Sequence, residues 1–215
     1  MQEDTLAAMR QSIVDGATDT ATALAQSALQ QGDDLMEAID RGFVPGMNYV
    51  GEQYGQRKMF LPDMLASAEA MKAAMTVLEP ELKRQGNQRP MLGTVLLGTT
   101  KGDIHEIGKT LVGTLLTAHG FRVVDLGVDV PTEQFAAKAR EVQADIVGVS
   151  ALLTTTMRGQ KSVIEAMDRE GLRPKIKIIV GGAPVSRQWA QEIGADGYAK
   201  DAVSAVALVK SLVEK

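Results

Sequence analysis

The stretch that decides the fold is Met91-Leu-Gly-Thr-Val-Leu-Leu97, followed at once by Gly98-Thr-Thr-Lys-Gly-Asp-Ile-His105. The first run is largely apolar and contains β-branched residues, which is typical of a strand buried on both faces. A helix is predicted to begin at Glu106, so the polar, glycine-containing residues 98–105 form a loop between this strand and the helix. Ligands of open α/β sheets bind at such loops.

The same alternation of strand and helix continues to the end of the chain. Short apolar runs predict further strands at Phe121–Leu126, Ile146–Ser150, Ile176–Val180 and, more weakly, near Tyr198. The predicted helices between and after the strands are Glu106–His119, Thr132–Gln143, Met157–Glu170, Ser186–Ile193 and Ala202–Glu214. Five such alternations predict a five-stranded parallel sheet with helices on both faces. Right-handed crossovers then favour a doubly wound, flavodoxin- or Rossmann-like α/β fold.

Residues 1–86, upstream of the sheet, are predicted to be helical throughout, because Ala, Leu, Met, Gln and Glu dominate and apolar residues recur with a helical period. Gly16 ends the first helix, and Gly42 and Pro45-Gly46 are expected to interrupt a later one. Pro62 suits the first turn of a long final helix. Short connections between the helices predict an antiparallel bundle of four or five helices.

The boundary between the two halves is predicted from Gln85-Gly-Asn-Gln-Arg-Pro90, which is polar and rich in structure-breaking residues. We expect a helical bundle domain at residues 1–86, a linker at residues 87–90 and an α/β domain at residues 91–215.

Composition excludes several classes of function. The chain has 215 residues, a net charge of −4 and no long basic run, so nucleic acid is not an expected partner. It has no cysteine, which excludes disulfides, thiol nucleophiles and zinc–thiolate sites. No apolar stretch is long enough for a membrane helix, and the acidic N-terminus lacks the apolar core of a signal peptide. We therefore expect a cytoplasmic protein without membrane contact.

The predicted topology brings several polar loops to one edge of the sheet, because the first, third and fourth strands should be adjacent. Asp103 and His105 follow the first strand, Ser150 ends the third, and Gly181-Gly182 ends the fourth. A neutral imidazole binds a metal through one nitrogen while a carboxylate fixes the other, and Ser150 could hydrogen-bond that carboxylate. One histidine cannot hold a bare metal ion well. It can hold a cobalt atom that already has four equatorial nitrogens from a corrin ring.

Taken alone, the same residues also fit simpler structural roles. Asp103 could cap the next helix and leave His105 as a solvent-facing residue of its first turn. Gly181-Gly182 could be an ordinary turn, and Ser150 a cap at the end of a strand. His119 precedes Gly120 at a helix C-terminus, where it interacts favourably with the helix dipole.

A family resemblance favours the metal site. Asp103-x-His105-x-x-Gly108, Ser150-x-Leu152 and Gly181-Gly182 resemble the signature of cobalamin-binding domains that bind their cofactor base-off and His-on. The likeness to cobalamin-dependent methionine synthase extends to residues 102–109, 124–131, 148–154, 47–54 and 58–62. Since no substrate-binding domains are attached, the chain is most similar to the free-standing corrinoid proteins of methylamine, methanol, methoxyaryl and betaine methyltransferase systems.

The resemblance implies a role for each matching residue. His105 would be the lower axial cobalt ligand, backed by Asp103 and Ser150, while Tyr54 and Leu61 of the helical cap would cover the upper face. Tyr54 stands where the methionine synthase motif has Phe. The glycines would leave room for the nucleotide tail, bordered by Ser150, Thr154 and Ala202. The full set of implied cofactor-binding residues is Tyr54, Leu61, Gly102, Asp103, Ile104, His105, Glu106, Gly108, Ser150, Leu152, Thr154, Gly181, Gly182 and Ala202.

The implied function is carriage of a methyl group on cobalt, with cobalamin, methylcobalamin or a related corrinoid as cofactor. A substrate:corrinoid methyltransferase would load the methyl group, a second methyltransferase would pass it to a thiol or tetrahydrofolate, and a reductive activation protein would restore the cobalt. The chain itself would be a non-catalytic component. The alternatives are a subunit of an adenosylcobalamin-dependent mutase, a cobalamin-based sensor, and a flavodoxin-like flavin binder, for which Gly98-Thr-Thr-Lys101 fits in part.

Overall fold

The computed structural model describes residues 1–85 and 91–213, and the chain forms two compact units, Met1–Pro90 and Met91–Lys215. The predicted linker at residues 87–90 lies outside the described residues. Among the described residues, no helix has both the length and the apolar character needed to cross a lipid bilayer.

The first unit is helical. Its elements are α1 (Glu3–Val14), α2 (Thr18–Gln31), α3 (Leu35–Glu37), a π-helical segment (Ala38–Phe43), α4 (Val44–Gly55) and α5 (Leu61–Arg84). Gly32 ends α2 in the left-handed conformation (φ 67°), which favours glycine. Asp34 caps α3 by accepting hydrogen bonds from the backbone N–H groups of Met36 and Glu37. The predicted helical bundle is confirmed, and Pro62 lies in the first turn of the long helix α5, as expected.

The predicted interruption at Gly42 and Pro45-Gly46 is wrong. Helical structure continues from Leu35 to Gly55, because the π-helical segment accommodates an extra residue just before Pro45. The two glycines instead allow α1 to approach closely. A Cβ atom at Gly46 would lie 2.5 Å from the carbonyl oxygen of Arg10, and one at Gly42 would lie 2.9 Å from Sδ of Met9.

The second unit contains a five-stranded parallel sheet in the order β2-β1-β3-β4-β5. Its strands are β1 (Thr94–Thr99), β2 (Arg122–Asp125), β3 (Ile146–Ser150), β4 (Lys177–Gly181) and β5 (Gly197–Tyr198). Its helices are α6 (Ile107–Ala118), α7 (Thr132–Glu141), α8 (Met157–Arg169), α9 (Arg187–Glu192) and α10 (Ala202–Val213). This is the predicted doubly wound fold, in its flavodoxin-like strand order.

The first strand begins and ends later than predicted. Met91 and Leu92 are exposed and lie outside the sheet, because the partner strand β2 begins at Arg122, opposite Thr94. At the other end, pairing with β3 continues to Thr99, which lies opposite Ser150. Two residues predicted to be in the loop, Gly98 and Thr99, are therefore part of the strand.

The strand order creates a switch point between β1 and β3, since the chain leaves β1 toward β2 on one side and returns as β3 on the other. Ser150 lies between Thr99 and Gly181 in the register of the three central strands. The loops that follow β1, β3 and β4 therefore share one edge of the sheet, as predicted. A ligand site is expected at this position of a doubly wound fold.

Candidate functional site

The loop that carries His105 is fixed at both ends to the sheet. It turns at Gly102, whose φ of +80° is a conformation that favours glycine. The Asp103 N–H donates to the carbonyl oxygen of Thr100 at 3.1 Å, and the buried hydroxyl of Thr99 donates to the carbonyl oxygen of His105 at 3.0 Å. The backbone therefore holds His105 at the carboxyl end of β1, just before α6.

Asp103 binds His105 directly. Its Oδ1 lies 2.8 Å from Nδ1 of the imidazole and also accepts a hydrogen bond from the His105 backbone N–H at 3.1 Å. Because an ionised carboxylate is only an acceptor, Nδ1 must carry the hydrogen, and Nε2 is left as the nitrogen with a free lone pair. Asp103 is fully buried, whereas the His105 side chain is 46% exposed. The imidazole is thus oriented from behind and open in front.

The second carboxylate oxygen of Asp103 is held by the loop after β3. Oδ2 accepts hydrogen bonds from the Leu152 backbone N–H and from the Thr156 hydroxyl, both at 2.7 Å. Burial acts to raise the pKa of Asp103, but the hydrogen bonds from Thr156, Leu152 and His105 together hold that pKa well below its usual range. The carboxylate therefore stays ionised and keeps His105 in the tautomer that offers Nε2.

We predicted that Ser150 would hydrogen-bond this carboxylate. In the structure, the hydroxyl that donates to Asp103 belongs to Thr156 instead. Ser150 ends β3 within the sheet, where its carbonyl oxygen accepts from the Thr100 N–H at 3.0 Å. Asp103 lies beyond the end of the sheet, above the β3–α8 loop, so the donors that reach it come from residues 152 and 156. Asp103 also does not cap α6, since the residue before that helix is Glu106.

The surface around His105 is apolar and open. Ile104 is 75% exposed and Ile107 is 64% exposed, and Leu152 and Leu153 of the neighbouring loop are also exposed. A Cβ atom placed on Gly108 would meet nothing within 4 Å. Exposed large apolar side chains that flank an oriented imidazole nitrogen fit a broad, flat, largely apolar ligand better than a hydrated ion.

The loop after β4 requires glycine. A Cβ atom on Gly182, whose φ is +128°, would lie 1.8 Å from the carbonyl oxygen of Ala151, and one on Gly181 would lie 3.2 Å from that of Ala199. The backbones that follow β3 and β4 thus approach as closely as they can. The predicted reason for Gly181-Gly182 was space for a nucleotide tail, and the close backbone contact is a second requirement for glycine.

Gln160 is a buried polar residue at this edge that the sequence did not single out. Its Nε2 donates to the carbonyl oxygens of Val149 (2.9 Å) and Gly181 (3.0 Å), and its Oε1 accepts from Nε1 of Trp189 (2.9 Å). It therefore ties the ends of β3 and β4 together. A glutamine in the polar first turns of a helix carries no signal of this role.

The other predicted site residues lie in both units. Glu106 and Thr154 are exposed, and Ala202 is buried at the start of α10. Tyr54 lies near the end of α4 and Leu61 begins α5, and both side chains are half-buried. The contact of all these residues with a cofactor stays a prediction.

The donor set fits a metal that brings its own equatorial ligands. Within residues 1–85 and 91–213, no group of three or more His, Asp or Glu side chains could hold a bare metal ion. His105 instead presents a single oriented nitrogen in an apolar surface at the switch point of a doubly wound sheet. These features fit a macrocyclic metal cofactor of the cobalamin type.

Comparison with known proteins agrees with that class. The B12 binding domain family matches residues 93–207, and a second family of the same description matches residues 5–79. The chain therefore belongs to the B12-binding proteins, and its cofactor is a corrinoid.

The relatives identify the group within that family. The chain is 46% identical to a corrinoid protein of Desulfitobacterium hafniense, over 96% of both chains, and 45% identical to the trimethylamine corrinoid protein of Methanosarcina barkeri, over 98% of this chain and 97% of the relative. Among solved structures, the methanol:cobalamin methyltransferase complex of Methanosarcina barkeri matches with a TM-score of 0.86 and 29% identity, covering all of this chain and 81% of the other. This places the chain among the corrinoid proteins of methyltransferase systems.

Proposed function

We propose that this protein carries a methyl group on a corrinoid bound base-off and His-on, with Nε2 of His105 as the lower axial ligand. The observation that carries the proposal is the 2.8 Å contact between Asp103 and Nδ1 of His105, which leaves Nε2 as the only ligating nitrogen of the imidazole. When bound, the corrinoid supplies a cobalt atom that accepts a methyl group from one enzyme and gives it up to another.

The residues of the chain control the ligand. Asp103, held by Leu152 and Thr156, orients the imidazole and increases its basicity through the shared hydrogen. His105 would keep its direction with or without a bound metal, because its backbone carbonyl accepts a hydrogen bond from the Thr99 hydroxyl. Gly181 and Gly182 would leave room for the nucleotide tail. The residues that would border this tail are Ser150, Thr154 and Ala202.

The helical unit would supply the other side of the site. Tyr54 and Leu61 would cover the upper, methyl-bearing face at rest and withdraw when a methyltransferase docks. The proposed partners are a substrate:corrinoid methyltransferase, a second methyltransferase that passes the methyl group to a thiol or tetrahydrofolate, and a reductive activation protein. The likeness to a chain of the methanol:cobalamin methyltransferase complex supports the first partner.

Electron paramagnetic resonance of the Co(II) form tests the ligand. Protein containing ¹⁵N-histidine is reconstituted with unlabelled cob(II)alamin, and the splitting from the axial nitrogen is recorded. We expect the two-line pattern of a ¹⁵N ligand, which His105→Ala abolishes and His119→Gln preserves, since His119 lies at the far end of α6. A three-line ¹⁴N pattern in the labelled wild type would show that the cofactor's own base remains bound, and would refute His-on binding.

Methyl transfer tests the carrier role separately. The reduced holoprotein is incubated with a ¹³C-methyl donor and a purified methyltransferase from the same organism, and the cobalt-bound methyl group is followed by NMR. We expect one labelled methyl group per corrinoid. We also expect the label to be lost when a second methyltransferase and a thiol are added. Tight corrinoid binding without labelling by any such methyltransferase would favour the mutase or sensor alternatives.

A further inference from the structure

Asp129 lies in the loop between β2 and α7, beside the loop that carries His105. Its Oδ1 accepts a hydrogen bond from the Gly102 N–H at 2.7 Å, and its own N–H donates to the carbonyl oxygen of Asp103 at 2.9 Å. Asp129 thus binds both ends of the Gly102-Asp103 dipeptide, which is separated from His105 by Ile104 alone.

The backbone of Asp129 is in an uncommon conformation. Its φ of 53° lies in the left-handed region, which Asp and Asn enter more readily than other non-glycine residues. Its side chain is exposed, so burial does not impose this conformation. In this conformation Asp129 makes the two hydrogen bonds to Gly102 and Asp103.

The Asp129 loop is itself fixed from two directions. Val130 forms a bridge with Thr100 and donates its N–H to the carbonyl oxygen of Thr99 at 3.0 Å. On the other side, Asp125 accepts from the Gly127 N–H at 2.8 Å and pairs with Lys109, whose side chain is only 3% exposed. Asp129 therefore connects a loop with several fixed contacts to the more exposed loop that carries His105.

We propose that Asp129 is a positioning residue for the metal ligand, which holds the Gly102–Asp103 backbone so that the Asp103–His105 pair points at the cobalt. This inference rests on the proposed role of His105 as a ligand. Without the Asp129 carboxylate, the Asp103–His105 hydrogen bond can persist, but its direction is less restricted. Histidine ligation then becomes weaker, while the total affinity for the corrinoid changes less.

The test is a competition between His105 and free imidazole for the lower position of cob(II)alamin in the full-length protein. With ¹⁵N-histidine in the protein and ¹⁴N-imidazole in solution, the two-line and three-line patterns report the two ligands. In Asp129→Ala, we expect free imidazole to displace His105 at concentrations about fivefold lower than in the wild type. A change of about fivefold corresponds to the loss of one net hydrogen bond. Asp129→Asn should restore the wild-type value, because its amide oxygen can accept from Gly102 and Asn tolerates the left-handed conformation.

Two further variants separate positioning from backbone strain. Asp129→Gly relieves the left-handed conformation but has no acceptor, so it should behave as Asp129→Ala does. Gln143→Gly relieves the same conformation (φ 52°) in the turn after α7 and should leave the imidazole competition unchanged. Wild-type values in Asp129→Ala and Asp129→Gly, or a failure of Asp129→Asn to restore them, would overturn the inference alone. A wild type without the two-line pattern would overturn the His-on proposal and this inference together.

Discussion

At the scale of single residues, Asp103 organises the site. Its two oxygens accept four hydrogen bonds, from Nδ1 and the backbone N–H of His105, the backbone N–H of Leu152 and the hydroxyl of Thr156. A buried carboxylate is costly unless it is bonded in this way. The same bonds that stabilise its charge also define which imidazole nitrogen is available to a metal.

The share of Thr156 in this network can be measured with a double-mutant cycle. Thr156→Val removes the hydroxyl and keeps the shape, so we expect the free energy of unfolding to fall by about 1–3 kcal/mol. Combined with Asp103→Asn, it should show a coupling energy on the order of 1 kcal/mol. The measurement is urea denaturation of the cofactor-free protein at neutral pH.

Ser150→Ala with Asp103→Asn is the matched control. Ser150 was predicted to contact Asp103, but among the described residues the hydroxyl that donates to this carboxylate belongs to Thr156. We expect a coupling energy within about 0.5 kcal/mol of zero for the Ser150 pair. A large coupling for Ser150 and none for Thr156 would reverse the assignment.

The sequence was sufficient to predict the roles of Asp103 and His105, because the resemblance to cobalamin-binding domains favoured a metal site over the simpler roles that the residues alone also fit. It was not sufficient to find Thr156. Residues 154–156 are three consecutive threonines, and only the way α8 begins at Met157 determines which hydroxyl turns inward. Asp129 and Gln160 were missed because their hydrogen-bond partners are distant in the sequence.

At the scale of elements, α4 shows why glycine is ambiguous in a sequence. Gly46 was predicted to interrupt a helix, whereas it lies within α4 and allows the backbone of α1 to come close. Gly55, at the end of the same helix, has nothing within 4 Å of the position of a Cβ atom. A helix-propensity scale assigns both glycines the same value, and only the contact with the neighbouring helix distinguishes them.

Substitution of these two glycines gives opposite expectations. Gly46→Ala places a methyl group 2.5 Å from a backbone oxygen, so we expect a loss of about 1–3 kcal/mol in the stability of the helical unit. Gly55→Ala adds helix propensity without overlap, so we expect an unchanged or slightly higher stability, by at most about 1 kcal/mol. Helical circular dichroism during denaturation measures both. An equal effect of the two substitutions would contradict the close approach of α1 and α4.

At the scale of the whole molecule, the alternation of strands and helices was enough to predict the doubly wound fold and the edge at which the site lies. The order of strands follows from short right-handed crossovers, which leave few alternatives. The ends of β1 could not be predicted, because the apolar run at residues 91–97 does not reveal where the partner strand begins. A sequence therefore predicts which loops meet more reliably than which atoms touch.

The proposed cofactor position has a consequence for the stability of the whole chain. A ligand that binds only the native state, present at about 100 times its dissociation constant, stabilises it by about 2.7 kcal/mol. For units of this size, that corresponds to a rise in Tm of roughly 10 °C. If Tyr54 and Leu61 cover the corrinoid that His105 ligates, calorimetry with cob(II)alamin should show this rise for the unfolding of both units.

Tyr54→Ala should abolish the rise in Tm of the helical unit. Tyr49→Ala is the control, because Tyr49 lies in the same helix and is 47% exposed. A rise confined to the α/β unit of the wild type would show that the helical unit does not contact the bound corrinoid in that state.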